Sequence, residues 1–186
     1  MPGRTANDLA VPRTASQRVA DHLRCSILTG DLASDARIMQ EEIATSLQAS
    51  RLPVREAMRR LGTEGLVVLK ATSGAWISKL DMAECEGIYK MRDRLEHLAL
   101  AESIPHLTGA DVLKLEEIQD GIERTTDVDV FLSLDRELHL ATCAGCPIQQ
   151  LTTMVQRYRN TTQHYRRAFA RIIDDAGWKV IITSTI

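Results

Sequence analysis

Three arginines with helical spacing are the residues whose chemistry is most evident. Arg51, Arg55 and Arg59 recur at every fourth position, so in a helix their side chains lie on one face. Three stacked cations repel one another unless an anionic surface faces them. The DNA major groove is such a surface, because phosphates attract cations and guanine presents O6 and N7 to an arginine fork. A solvated basic face on an ordinary surface helix is the alternative interpretation.

A carboxylate and an imidazole are also four residues apart, at Asp135 and His139. On one helix face such a pair can share a divalent metal ion, although an ordinary Asp–His surface pair is the alternative. Cys143 and Cys146 form a C-x-x-C sequence, but zinc would need two more ligands. Two ordinary thiols are the simpler interpretation of this sequence, and a reversible disulfide is the other.

The helix that must position the three arginines is predicted from the apolar residues between them. These recur at intervals of three and four, which gives a buried stripe beside the basic face: Val54, Ala57, Met58 and Leu61. Ser50 is expected to cap the first N–H groups of this helix. Pro53 falls in the first turn, where a missing N–H costs little.

Composition and charge favour two small modules over one uniform domain. The 186 residues contain only 4% aromatic residues, which fits helical packing on aliphatic side chains. Residues 1–79 carry 11 Lys and Arg against 8 Asp and Glu, whereas residues 80–186 carry 12 against 17. A mildly basic first module and an acidic second one are expected to have different partners.

Several functional classes are disfavoured. No apolar run approaches the roughly 20 residues of a membrane span, and the polar N-terminus lacks a signal-peptide core, so we expect a cytoplasmic protein without membrane association. Four cysteines are few for a disulfide scaffold, which predicts reduced thiols. The sequence shows neither a glycine-rich phosphate loop nor a nucleophile triad, and we do not expect an enzyme.

The first module, residues 14–79, is predicted to be a winged helix-turn-helix that follows a flexible arm at residues 1–13. Apolar spacing predicts helices over about residues 16–29, 41–47 and 50–62, with Gly30 ending the first and residues 31–37 forming a loop. Two β-type runs, 66–70 and 75–78, flank a small-residue turn and predict a hairpin. Three helices followed by a hairpin are typical of this DNA-binding fold.

The second module, residues 80–186, is predicted to be an all-α bundle, which makes the whole chain mainly α. Helices are expected over about residues 82–103, 108–124, 128–142 and 148–172, with capping starts at Thr108 and Asp127. The first of them carries apolar residues at helical spacing: Ile88, Met91, Leu95, Leu98 and Ala99.

Residues 16–80 resemble the N-terminal DNA-binding domain of the GntR family of bacterial transcription regulators. The matching segments, at 19–24, 27–32, 50–57, 64–67 and 74–77, read VADHLR, ILTGDL, SRLPVREA, EGLV and GAWI. The resemblance implies that Arg51 and Arg55 read base edges and that Arg37 touches phosphate. It also places Ser50, Leu52 and Pro53 against the DNA backbone and Gly74 at the wing tip. Glu41 stands where the fatty-acid-responsive branch has a basic DNA contact.

Residues 82–172 resemble the FCD effector domain of the FadR-type GntR subfamily. The segments that carry this resemblance are YKMR at 89–92, LE at 95–96 and FLSLDRELH at 131–139. The resemblance implies that Asp135 and His139, with two histidines from later helices, hold a divalent ion such as zinc. The ion helps to bind a small organic acid, whose carboxylate partner would be Arg92. A simple surface ion pair between Arg92 and Glu96 is the alternative.

The two later histidines are missing, since the sequence after Arg171 ends on a short run rich in β-branched residues. We therefore expect an altered or truncated C-terminus, an incomplete bundle and a metal site that lacks half its ligands.

The sequence as a whole predicts a FadR-subfamily transcription regulator that binds an operator in double-stranded DNA as a homodimer. A small metabolite, expected to be a carboxylate, would bind the helical domain and change operator affinity. A small metal-dependent enzyme built on Asp135 and His139 is one alternative, but it leaves the three arginines unexplained. A regulator that senses no ligand is the other.

Overall fold

The computed structural model describes residues 13–71 and 74–172, which form a winged helix-turn-helix followed by a helical bundle. The predicted arm and the predicted altered tail fall almost entirely outside these residues. The first domain contains α1 (Ala15–Thr29), β1 (Arg37–Ile38), α2 (Gln40–Ser46), α3 (Arg51–Thr63), β2 (Val67–Lys70) and β3 (Gly74–Ile77). The mainly α fold class and the predicted order of helices are confirmed.

Local sequence signals set the limits of α1. Thr14 caps its first turn and exchanges hydrogen bonds with Gln17, and Gly30 ends it with a left-handed φ of 83°. The buried stripe of α1 packs against the predicted stripe of α3. Together they form the core of the first domain: Val19, Ala20, Leu23, Ile27, Val54, Ala57, Met58 and Leu61.

The sheet has one strand more than the sequence predicts. The hairpin of β2 and β3 is confirmed, but Arg37 and Ile38 pair antiparallel with β3, opposite Trp76 and Ala75. The strand order is β1-β3-β2. The loop predicted over residues 31–37 is therefore wrong at its end, because two residues are too few to show a strand's alternating pattern.

Capping at the start of α3 also differs from the prediction. Ser50 occupies the N-cap position, yet its side chain makes no capping hydrogen bond. The third helical residue is Pro53, which lacks one of the two N–H groups that a capping serine normally bonds. The predicted start of the helix is confirmed, but the predicted role of the Ser50 hydroxyl is wrong.

The described part of the second domain, up to residue 172, contains four longer helices and one short turn. They are α4 (Met82–Ser103), a 3₁₀ turn (Ile104–His106), α5 (Gly109–Arg124), α6 (Val128–Thr142) and α7 (Gln149–Ala170). The predicted starts are confirmed, since Thr108 forms a capping box with Asp111 and Asp127 accepts hydrogen bonds from the first turn of α6. Among the described residues, no helix is long and apolar enough to cross a bilayer.

The core of this domain is small and divided. One apolar cluster joins α5 to α6 through Ile118, Ile122, Phe131, Leu132 and Leu138. A second joins α4, α7 and the end of α6 through Ala99, Cys143, Leu151 and Val155.

The buried face of α4 differs from the predicted apolar stripe. Met91 and Leu98, which belong to the predicted stripe, are 41% and 47% exposed. Ala99 of that stripe is buried and Ile88 and Leu95 are half-buried, but Cys85 and Arg92, which the stripe does not include, also face the interior. The helix is therefore rotated relative to its apolar pattern, and it brings a guanidinium inside.

Helix α7 also contacts the first domain, at carbonyl groups left free by the C-terminal ends of α1 and α3. Arg167 Nη2 donates to the Leu28 carbonyl at 2.7 Å. Asn160 Nδ2 donates to the Glu64 carbonyl at 2.7 Å, and Arg157 Nη1 donates to the Thr63 carbonyl at 3.3 Å. These bonds attach α7 to both helices that support the basic face.

Two glycines with left-handed backbones lie where α7 approaches. A Cβ on Gly30, whose φ is 83°, would be 3.0 Å from Arg167 Cδ. A Cβ on Gly65, whose φ is 77°, would be 2.8 Å from Thr161 Cγ2 and 2.9 Å from Arg157 Cγ. Gly65 therefore meets two requirements that a larger residue could not. It allows the left-handed turn after α3, and it leaves room for α7.

Gly65→Ala is expected to lower the free energy of unfolding by at least about 1–2 kcal/mol, because alanine is strained in the left-handed region and its methyl group would displace α7. Urea unfolding followed by far-UV circular dichroism measures the change. Gly87→Ala is the matched control. It lies in α4, where an added methyl group would meet no other described atom within 4 Å, and alanine there should stabilise the helix by up to about 1 kcal/mol. Equal midpoints for the two variants would contradict the close approach.

Candidate nucleic-acid interface and effector cavities

The basic face of α3 is exposed as the sequence predicts. Arg51, Arg55 and Arg59 all lie on the surface, opposite the buried stripe. The Arg51 guanidinium donates to the carboxylate of Glu41 in α2. Within the described residues Arg55 and Arg59 make no ion pair, so both guanidiniums are free to meet an anion.

The residues at the start of α3 complete one end of this face. Ser50 and Leu52 are exposed, and the Leu52 side chain is 64% accessible. Free N–H groups and the positive end of the helix dipole make such a terminus favourable for phosphate. Pro53 is half-buried in the same turn. The geometry therefore suits the backbone contacts predicted for these three residues.

The wing adds two more cations. Arg37 lies beside the ring of Trp76, with its Cζ 6.0 Å from the ring centroid, and Lys70 Nζ lies 4.8 Å from the same centroid. Gly74 begins β3 with a φ of 90°, and a Cβ there would be 4.0 Å from Arg37 Nη2. Arg37 and Gly74 are thus neighbours, as a phosphate contact beside the wing requires. Residues 72 and 73 lie outside the described residues.

The second candidate site is a buried group of charges that we call the arginine–carboxylate cluster. Its members come from three helices: Arg92, Glu96, Asp135, His139, Arg159 and Arg166. Asp135 Oδ2 accepts from Arg159 Nη1 at 3.2 Å and from Arg166 Nη2 at 2.5 Å. The second terminal nitrogen of Arg159 donates to Glu96 Oε2 at 2.8 Å. His139 lies between the two carboxylates, 3.6 Å from Asp135 and 3.7 Å from Glu96.

Both carboxylates of the cluster stay ionised. Burial alone would raise the pKa of Asp135, but the neighbouring imidazole of His139 and the guanidiniums of Arg166 and Arg159 hold it well below its usual value. Burial likewise opposes ionisation of Glu96, and the charges of Arg159 and Arg92 lower its pKa below the ordinary range. The cluster is therefore a set of closed ion pairs at neutral pH.

These residues do not fit the metal ion that the sequence predicts. Asp135 and His139 do lie together and face the interior. However, a dication beside Asp135 would meet the two guanidiniums that already bind this carboxylate, and Coulomb repulsion opposes that arrangement. Among the described residues, no three His, Cys, Asp or Glu side chains are placed to hold a metal ion.

Arg159 and Arg166 are the members of the cluster that the sequence did not predict. They lie seven residues apart in α7, a spacing that puts both on one helix face. Arg159 is 1% exposed, and arginine is so rarely buried that sequence patterns favour a solvated position. In the sequence, the only indications that these arginines belong to the site are their seven-residue spacing and the lack of the two later histidines.

The predicted effector partner, Arg92, is already engaged. Its Nε donates to Glu96 Oε1 at 2.7 Å and its Nη1 donates to Thr162 Oγ1 at 3.1 Å. Its Cζ lies 5.0 Å from the centroid of the Tyr89 ring. The pair with Glu96 thus forms as the alternative interpretation expected, but in the interior rather than on the surface. An effector carboxylate would have to displace Glu96 to reach this guanidinium.

A cavity of about 520 Å³ opens beside the cluster, between α4, α5 and α6. Glu96 and His139 lie in its wall together with Glu116 and Asp120. This excess of carboxylates disfavours an anionic ligand. Cys143 also lines the cavity; it and Cys146 are free thiols, and burial raises the pKa of the Cys143 thiol.

The fold and the basic helix together define a winged helix-turn-helix protein with a helical second domain. Residues 15–77 match the family described as bacterial regulatory proteins, gntR family, and residues 87–181 match the FCD domain. The chain therefore belongs to the GntR family, in the group that carries an FCD domain.

Curated relatives carry names of transcription regulators. An HTH-type transcriptional regulator of an unstable DNA locus in Streptomyces ambofaciens is 30% identical over 131 residues, which cover 68% of this chain and 54% of that protein. The transcriptional repressor RspR of Escherichia coli K12 is 26% identical over 155 residues, covering 77% of this chain and 68% of the repressor. The chain spans little more than half the length of the first relatives it matches.

Solved structures show the same fold. Escherichia coli McbR/YncC superimposes with a TM-score of 0.78 at 21% identity, covering 92% of this chain and 82% of that one. A GntR regulator from Rhodococcus sp. RHA1 gives a TM-score of 0.71 at 20% identity, covering 88% and 81%. Both likenesses concern the fold alone.

Asp135→Asn is expected to cost about 3–5 kcal/mol of unfolding free energy, because it leaves Arg159 and Arg166 buried without their counter-charge. The exposed pair Lys90–Glu86 provides the control, and Glu86→Gln should leave the urea midpoint unchanged.

Since folding lowers the pKa of Asp135, its stabilisation is full above about pH 4, the unfolded value. It is lost as the pH falls toward the folded pKa. A parent protein and an Asp135→Asn variant with the same acid-unfolding curve would rule out this pairing.

Removal of metal ions by a chelator is expected to leave the fold unchanged, because ion pairs between guanidiniums and carboxylates hold the cluster together. Dialysis against EDTA should alter neither the melting temperature nor the helix content, and added zinc should not raise the melting temperature. Elemental analysis of protein purified without chelator provides the second readout. A tightly held, stoichiometric metal ion that survives dialysis would show that the cluster opens to coordinate it.

Proposed function

We propose that this chain is a DNA-binding transcription regulator that acts in the cytoplasm, binds an operator as a homodimer and responds to a small organic acid. The observation that carries the proposal is the free basic face of α3. Arg55 and Arg59 are exposed and unpaired within the described residues, while the opposite side of the same helix is fixed in the core. A rigid helix that presents free guanidiniums suits the major groove.

The cations around α3 supply contacts of two kinds. Arg51 and Arg55 lie near the helix start, where recognition helices reach base edges, and Arg37 and Lys70 lie at the wing, where phosphates pass. Glu41 restrains Arg51 through their hydrogen bond. On binding DNA, Arg51 would exchange this carboxylate for a base or phosphate, and Arg55 would make its contact without such an exchange.

Exposed apolar residues on α4 support the homodimer. Met91 and Leu98 are seven residues apart, so both lie on one face of the helix, and each is more than two-fifths exposed. A second copy of the chain would cover this face and remove it from water. Two basic helices would then reach half-sites of an inverted repeat about one turn of DNA apart.

Helix α7 is the route by which an effector would change DNA binding. Its Arg159 and Arg166 belong to the arginine–carboxylate cluster, while its Arg157 and Asn160 bond the carbonyl groups at the end of α3. A ligand that shifts α7 would move the support of the basic helix. The ligand changes operator affinity only as far as it binds one position of α7 more tightly than the other.

The first experiment is fluorescence-anisotropy binding to the DNA upstream of the protein's own gene and to a scrambled duplex, across a salt series. Specific binding should weaken steeply with salt, because each phosphate contact releases counterions. If the upstream DNA is not preferred, a library of random duplexes is tested at low salt. Equal and weak binding to all of its members would contradict the proposed function.

Arg55→Ala is expected to reduce discrimination between operator and scrambled DNA by about 1–3 kcal/mol per half-site, the value of a bidentate arginine–guanine contact. Arg94→Ala is the matched control, because it removes an exposed arginine from α4 that is paired with Asp93. This control should keep the preference for the operator. Unchanged preference in the Arg55→Ala variant would show that another residue reads the bases.

A further inference from the structure

A second cavity, of about 510 Å³, lies between the two domains. Cys25, Leu28 and Thr29 of α1 form one wall, and residues of α6 and α7 form the other, with Lys114 of α5 at the side. It opens on a different face of α6 from the one that carries Asp135 and His139. A molecule bound here would touch the DNA-binding domain and the helical domain at once.

Arg136 is the unsatisfied charge in this cavity. Its guanidinium is half-buried, and the buried Nη1 has no hydrogen-bond partner among the described residues. Burial, with repulsion from Arg159, Arg166 and Arg24, lowers the pKa of Arg136 to about 10, so the group is still a cation at neutral pH. Glu64 attracts it, but that carboxylate is already bound by Arg24 and Arg60.

The other lining cations each have an ion-pair partner, although the buried Arg167 Nε has no hydrogen-bond partner among the described residues. Arg136 is therefore the lining cation that lacks a counter-charge among the described residues. Lys114 pairs with Glu137 at 3.1 Å, and Arg167 bonds Asp129 and the Leu28 carbonyl. The Gln163 side-chain oxygen is buried in the same wall and has no partner among the described residues. An anion would satisfy the half-buried Arg136 guanidinium, whereas the Gln163 oxygen is an acceptor and needs a donor such as water.

We propose that this interdomain cavity binds a small organic monoanion with an apolar body. Its carboxylate would take the Arg136 guanidinium, for which a fork of two parallel hydrogen bonds is favourable. Its apolar part would lie against Leu28, Leu132 and Leu140, the aliphatic side chains of the lining. The site differs in place and charge from the cavity beside Glu96, where carboxylates dominate the wall.

Binding at this position would hold α1 against α6 and α7, next to the Arg167 contact that already joins them. The consequence for DNA rests on the proposed function, whereas binding itself does not. Ligand binding is therefore tested by thiol labelling in the cavity, and its effect on DNA affinity is tested separately by fluorescence anisotropy.

Cys25 provides a reporter inside the cavity, because its thiol is free and exposed while Cys85 and Cys143 are buried. In a Cys146→Ser background, labelling rates are compared for two methanethiosulfonates, one with a sulfonate tail and one with a trimethylammonium tail. The Cys25 thiolate attacks the reagent and forms a mixed disulfide, and methanesulfinate leaves. Mass spectrometry of peptides confirms the labelled residue.

After each rate is divided by the same reagent's rate with free cysteine, the anionic reagent is expected to react about tenfold faster than the cationic one, because an unpaired positive charge lies in the same partly buried site. Arg136→Gln should abolish this preference, and Arg94→Gln, which removes an exposed arginine elsewhere, should retain it. Millimolar hexanoate should slow labelling of the parent protein at least about threefold and leave the Arg136→Gln rate unchanged, since the competing carboxylate needs the guanidinium.

Equal normalised rates for the two reagents, a preference that survives Arg136→Gln, or a lack of protection by hexanoate would each overturn the proposed site. These results do not depend on DNA. If hexanoate protects Cys25 while the protein fails to prefer any operator, the anion site stands and the proposed regulatory function falls.

Discussion

The pairing of Arg159 is the interaction on which the rest of the helical domain depends. This side chain is 1% exposed, and a buried guanidinium without counter-charges would cost several kcal/mol. It is satisfied by Glu96 of α4 and Asp135 of α6. Because these carboxylates come from two other helices, three helices have to be in register before both ion pairs of Arg159 can form.

This constraint also decides how the two domains meet. Once Arg159 faces the cluster, the neighbouring Asn160 has to point to another side of α7, and there it finds the Glu64 carbonyl at the end of α3. Arg167, two turns further on, bonds the end of α1 in the same way. The glycines at Gly30 and Gly65 leave room for this approach. The rotation of one helix therefore sets both the charge pairing inside one domain and the support of the basic face in the other.

What the sequence predicts well is what depends on nearby residues. The stripe of α3, the stop at Gly30 and the capping starts at Thr108 and Asp127 involve spacings of a few positions, and all are confirmed. The two-residue strand at Arg37 and the rotation of α4 were missed, because both depend on partners far along the chain.

The buried arginines were missed for the same reason. Arg159 finds its carboxylates 24 and 63 residues away, and no local pattern carries that information. The basic face of α3, in contrast, was visible at once, since its spacing and its core stripe lie in one segment. The described positions of Ser50, Arg51 and Arg37 are compatible with DNA binding, and the bases that α3 would read depend on a sequence outside this chain, that of the operator.

The charge balance of α6 and α7 bears on what this domain can hold. The cluster contains the guanidiniums of Arg92, Arg159 and Arg166 against the carboxylates of Glu96 and Asp135, so its cations already outnumber its anions. Arg136 adds another cation on the next face of α6, within reach of repulsion from Arg159 and Arg166. Adding a metal ion would increase this excess, whereas adding an anion would relieve it. Electrostatics therefore disfavours a metal ion and favours an anion in this part of the domain, with Arg136 better placed to bind it than the closed pairs around Asp135.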